Sequence, residues 1–82
     1  MKNPTFLIHI QEMDCPVEKA EIEESFAKNP DFEPVATDLM HRTMRFVAKS
    51  DKATLELLLE NLKKAGFPGE AVNEASGASA PL

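Results

Sequence analysis

Six short segments alternate in period along this chain, and their order leaves few folds open. Thr5 to Gln11 alternates around Phe6, Ile8 and Ile10, as a strand with one buried face does. Pro16 then opens a charged stretch, running to about Lys28, that reads as a helix. Proline suits a first turn because it lacks an N–H that would go unpaired there. Ile22 and Phe26 share one face of this helix, and Glu21, Glu23, Glu24 and Lys28 are largely solvated. Asn29-Pro30-Asp31 stops it. Phe32 to Leu39 and Thr43 to Ala48 read as two strands. Met40-His41-Arg42 is short enough to join them as a hairpin, although it lacks an Asn-Gly or Asp-Gly signal.

Ser50 or Asp51 is placed to cap a second helix, whose Leu55, Leu58, Leu59 and Leu62 make an apolar stripe. Gly66 suits a left-handed cap at its end, and Pro68 prevents continuation. Ala71-Val72 is expected in a short last strand. From Glu74 the chain is small and polar and reads as a disordered tail or linker. One domain over residues 1–73 and a tail over 74–82 is the expected organisation. The element order is then βαββαβ. Right-handed crossovers fold that order into a four-stranded antiparallel sheet with both helices on one face, the α+β ferredoxin-like sandwich.

A domain of 82 residues with one cysteine has no internal disulfide, so helix–sheet packing must supply its stability. A formal net charge of −5 and a pI near 4.9 argue against nucleic acid or an anionic membrane as the main partner. An acidic surface suits a cation or a basic protein. The apolar run from Phe6 to Ile10 is too short for a signal-peptide core or a membrane span. A cytoplasmic monomer that does not itself enter the membrane is the expectation, and there a single reduced thiol is chemically reasonable.

The reactive groups concentrate in Glu12-Met13-Asp14-Cys15-Pro16-Val17-Glu18, where the only cysteine lies between carboxylates. A strand feeding a cysteine loop that opens a helix is a place where soft and hard ligands converge. It points to metal binding rather than catalysis. The expected topology puts three connections at one end of the sheet: the loop at 13–16, the hairpin at 40–42 and the turn at 66–68. His41 is thereby brought toward Cys15, although 26 positions separate them. His9 is expected to point away from the helices, opposite Ile8 and Ile10.

These residues resemble those of the heavy-metal-associated domain, the module of copper chaperones and of the N-termini of soft-metal P-type ATPases. That family carries Gly-Met-x-Cys-x-x-Cys between its first strand and first helix. Cys15 stands at the first cysteine position, and Glu18 replaces the second. A subset associated with zinc, cadmium or lead transporting ATPases is more similar, with Met-Asp-Cys-Pro-x-Glu. Phe32-Glu33, Asp38-Leu39-Met40-His41-Arg42 and Lys64-Ala65-Gly66-Phe67 fall at similar places, and the resemblance spans roughly residues 5–73. It implies a non-catalytic module that receives, carries or senses a divalent heavy metal. Such a module is either the N-terminal domain of an efflux ATPase or a free metallochaperone. Its partners are then ATPase domains or a metal donor protein.

The donor set bears separately on the ion. Cu(I) prefers soft thiolate or thioether ligands, and a paired-thiolate site needs a second cysteine. One thiolate with carboxylates and an imidazole suits Zn²⁺ best, with Cd²⁺, Pb²⁺ or Co²⁺ as further candidates. Cys15, Asp14, Glu18 and His41 make up the four ligands zinc ordinarily takes. A helix N-terminus also stabilises the thiolate that must form.

Structural roles compete for the same side chains. Glu18 is placed to reach back to a backbone N–H or to complement the helix dipole, and Asp14 to cap the helix. Met13 suits a core plug beneath the loop better than a thioether ligand. Phe67 either shields the site edge or fills the core. Among enzymes, acylphosphatases share this element order but need an arginine-bearing phosphate loop, and residues 11–16 hold no arginine. A cysteine–histidine hydrolase needs an oxyanion site and a cleft, for which so small a chain leaves little room. The remaining alternative is a degenerate ferredoxin-like domain that holds no metal and docks onto another protein.

Overall fold

The structure is a computed structural model and describes residues 4–72. The tail expected from residue 74 lies outside the described residues. The elements are β1 (Thr5–Ile10), α1 (Pro16–Ser25), β2 (Phe32–Asp38), β3 (Thr43–Ala48), α2 (Leu55–Lys64) and β4 (Gly69–Ala71). Their order is the βαββαβ expected from the sequence. The four strands form one sheet in the order β2-β3-β1-β4, with every neighbouring pair antiparallel.

Period-two alternation gives the sheet its buried face. Ile8 and Ile10 of β1 lie beside Met44, Phe46 and Ala48 of β3, and all are buried. Ile22 of α1, Phe26 just after it, and Leu58 and Leu62 of α2 join the same core cluster, so both helices cover one side of the sheet. Phe26 and Phe46 meet with ring centroids 5.0 Å apart. Each fully buried Ile, Leu, Phe or Met side chain contributes about 1.5–3 kcal/mol of transfer free energy. A chain without a disulfide rests on that sum.

Local chemistry shifts several element ends from their expected places. α1 ends at Ser25 rather than near Lys28. The Asn29 Oδ1 accepts the N–H groups of Asp31 and Phe32 at 2.8 and 3.0 Å, turning the chain into β2. The cap of α2 is Thr54, whose hydroxyl oxygen accepts the Leu57 N–H at 3.2 Å. Ser50, expected in that role together with Asp51, instead donates its hydroxyl to Asp31. β4 starts earlier than the expected Ala71, at Gly69.

Two glycines are needed where they stand. Gly66 has φ +93°, and the bonds Gly66 N–H to Lys63 O and Phe67 N–H to Leu62 O complete a Schellman cap on α2. A Cβ built on Gly69 would lie 2.6 Å from Ile8 Cγ2, because β4 presses its backbone against β1. The β2–β3 register slips between Pro34 and Ala36, and exposed Val35 is the extra residue. Edge strands carry such bulges, and β2 is an edge.

Candidate metal centre

The end of β1 nearest Ile10 gathers the loop, the hairpin and the start of β4. Gly69 of β4 pairs with Ile10, and the Ile10 N–H donates to the Arg42 carbonyl at 2.7 Å. The hairpin and the cysteine loop therefore share one end of the sheet, as the topology required.

Within the loop, Met13 is fully buried in the core cluster and its N–H bonds the Ile10 carbonyl at 3.0 Å. This anchors the turn and leaves Asp14 and Cys15 above it, exposed and half-buried respectively. Cys15 is the N-cap of α1, with extended backbone angles, and its thiol makes no capping bond. Capping falls to Glu18 in the first turn. Its Oε1 accepts the Asp14 N–H at 3.0 Å, so the structural role open to Glu18 is in fact taken. Asp14 itself is not the cap.

One donor atom each from Asp14, Cys15 and Glu18 lies within 4.8 Å of the other two. Among the described residues this is the one group of three or more histidine, cysteine or acidic side chains that converges in this way. Around a tetrahedral zinc with bonds of about 2.0–2.3 Å, neighbouring donors stand roughly 3.3–3.8 Å apart. The cluster must close by at most about 1.0–1.5 Å, a small rotation for an exposed Asp14 and a half-buried Glu18, and a larger ion needs less. The donors present therefore fit a divalent cation.

The two carboxyl groups are electrostatically unlike. A hydrogen bond to Glu18, reinforced by its like charge, pushes the Asp14 carboxyl above the ordinary carboxylate range. Hydrogen bonds from the Asp14 carboxyl and N–H hold Glu18 below it. A cation entering the cluster displaces the thiol proton of Cys15.

His41, the fourth expected donor, is not a member of the cluster. Its ring Nδ1 lies 2.7 Å from Asp38 Oδ2, its N–H donates to Asp38 Oδ1 at 3.2 Å, and its side chain is 70% exposed. The carboxylate three residues back captures the imidazole locally. That i,i+3 spacing was visible in the sequence. His9 sits in β1 between buried Ile8 and Ile10 and pairs with Thr43 and Glu70, away from the cluster. Phe67 packs against the core. Arg42 was not singled out by sequence reasoning. It has φ +57° and donates from Nη1 to the Gln11 carbonyl at 3.1 Å, and no residue type in the hairpin signals that conformation.

Comparison with known proteins follows the same pattern. The family model for the heavy-metal-associated domain matches residues 7–68. A chain solved in work on crosstalk between Cu(I) and Zn(II) homeostasis is 20% identical, with a TM-score of 0.71, over 84% of this chain and 99% of its own. Oxidized MerP from Ralstonia metallidurans is 16% identical, with a TM-score of 0.72, over 84% and 96%. A copper binding domain from HMA7, a P-type ATPase, is 19% identical, with a TM-score of 0.69, over 83% and 92%. At these identities the likeness concerns the fold. Among curated proteins none matches the chain significantly.

Proposed function

The chain belongs to the heavy-metal-associated domain family, a family of non-catalytic metal-binding modules, and from that premise we propose that it carries a divalent heavy-metal ion. The ion is Zn²⁺ first, with Cd²⁺, Pb²⁺ and Co²⁺ as further candidates, in preference to Cu(I). Cys15, Asp14 and Glu18 are its ligands. The fourth place goes to water or a partner's side chain, or to His41 once its ring leaves Asp38. The observation that carries this reading is the convergence of one thiol with two carboxylates within 4.8 Å. The similar solved structures include a copper binding domain, but a single thiolate among hard oxygen donors favours a borderline divalent ion over Cu(I).

The ion passes between this domain and a metal-transporting P-type ATPase or a donor protein, in the cytoplasm, with the domain acting as a monomer. No helix among the described residues is long and apolar enough to cross a membrane. The surrounding residues serve transfer as well as binding. Asp14 is exposed and Cys15 half-buried, so a partner's ligand has access to the ion.

Competition titrations of the reduced protein against chelators of known affinity test the reading. Stoichiometric Zn²⁺ or Cd²⁺ binding, lost in Cys15→Ala, is expected. Tighter stoichiometric binding of Cu(I) by the monomer refutes the selectivity. Failure to hold any of these ions leaves the degenerate docking domain.

A further inference from the structure

The β2–β3 hairpin ends in a residue that a turn alone does not explain. Arg42 adopts φ +57°, a left-handed conformation that glycine enters freely and that other side chains, asparagine and aspartate apart, enter at a cost. Backbone strain of this kind persists only where surrounding contacts impose it, and it collects at functional sites. Glycine or asparagine would make the turn more cheaply. What arginine adds is its side chain.

That side chain reaches the metal loop. The Arg42 Nη1 donates to the Gln11 carbonyl at 3.1 Å, across 31 positions of sequence. One residue earlier in β1, the Ile10 N–H donates to the Arg42 carbonyl at 2.7 Å. A single hairpin residue thus grips two consecutive residues at the point where β1 becomes the loop. Its own N–H is tied to the Leu39 carbonyl at 3.2 Å, which fixes the grip to the hairpin. Three residues beyond Gln11 stands Asp14. Arg42 therefore touches the loop's backbone three residues before one of the proposed ligands.

We propose that Arg42 is a positioning residue of the metal loop, its guanidinium holding the Gln11 carbonyl so that Asp14 stays beside Cys15 and Glu18. This inference rests on the reading of the loop as a divalent-metal site. Groups that orient metal ligands without touching the ion change affinity by about 10–100-fold when removed. A solvent-facing tether belongs at the lower end of that range.

Arg42→Gly and Arg42→Asn remove the guanidinium while easing the left-handed turn, so the fold is not the weak point of the test. Both are expected to bind Zn²⁺ and Cd²⁺ about tenfold more weakly than the parent chain, with an unchanged or raised thermal midpoint. The Asp14 and Glu18 amide resonances of the metal-free variants should also shift. Arg42→Lys keeps the charge without the planar fork and is expected to stay weak. Unchanged or tighter binding by folded Arg42→Gly and Arg42→Asn overturns the proposal, and full rescue by Arg42→Lys overturns the tether in favour of charge. If the parent chain binds neither ion, the metal reading fails by itself. The metal-free amide shifts then still decide whether Arg42 sets the loop, and unshifted Asp14 and Glu18 resonances refute that.

Discussion

Met13 offers a test of what lies under the metal loop. Its side chain is fully buried and belongs to the core cluster with Ile10, Ile22, Phe26 and Leu62. Truncation to alanine removes the thioether and leaves a cavity beneath the loop, at a cost of about 2–5 kcal/mol for a buried Met→Ala change. Total stability for a domain of this size is roughly 4–12 kcal/mol, so Met13→Ala removes a large share of it and is expected to melt roughly 10–30 °C lower. Met13→Leu conserves volume and is expected to cost less than about 1.5 kcal/mol. Urea or thermal melts of the metal-free proteins measure both. Zn²⁺ and Cu(I) affinities of Met13→Leu then separate plug from ligand, because leucine fills the space but donates no sulfur. A loss of less than about 1 kcal/mol for Met13→Ala refutes the packing role. A Met13→Leu protein that is stable but binds metal more than about tenfold more weakly refutes the assignment of Met13 to the core alone.

Further outcomes are expected from changes at three positions. Glu18→Gln keeps an oxygen that can accept the Asp14 N–H, now at 3.0 Å, but loses the charge, so titration should show weaker Zn²⁺ binding with little change in helix content, while Glu18→Cys should move preference toward copper. His41→Ala should leave Zn²⁺ affinity within about twofold, since the ring lies outside the three-residue cluster; a tenfold loss, about 1.4 kcal/mol, makes it a ligand. In the same variant Asp38, which the His41 ring holds below the ordinary carboxylate range, should rise toward 3.8 in a carboxyl NMR titration. The sign follows from the lowered value: stability supplied by Asp38 is present above about 3.8 and is lost as pH falls through its folded pKa. Gly69→Ala should destabilise by about 1–3 kcal/mol, read from denaturant melts, because its Cβ would meet Ile8 Cγ2 at 2.6 Å.

The parts of the fold legible in the sequence are those that period and punctuation encode. Alternation in β1 and β3, the leucine stripe of α2, Pro16 at a first turn and Gly66 at a left-handed cap are local features, and the structure has each of them. The parts that were not legible depend on contacts far along the chain. Ser50 looks as good a cap as Thr54 until Asp31, 19 positions away, takes its hydroxyl. The site divides in the same way. Neighbours in one loop and one helical turn, Asp14, Cys15 and Glu18, come together because their spacing is local. Topology placed the hairpin of His41 at the right end of the sheet, but side-chain direction there is decided by Asp38. The left-handed Arg42 has no signal in residue type at all.

Glu18 shows why the proposed site suits a carrier better than a permanent store. Without metal its carboxylate already accepts the Asp14 N–H at 3.0 Å. Recruiting it as a ligand breaks or reshapes that bond, and the metal-free loop regains it on release. The thiol of Cys15 makes no capping bond to the helix backbone, but it too is hydrogen-bonded to the Glu18 carboxylate. A divalent ion therefore gains its thiolate and carboxylate bonds against internal competition centred on Glu18. A second cysteine at position 18 would remove that competition and hold the ion more tightly. Glutamate there lowers the barrier to handing it on and keeps the helix capped in the metal-free state.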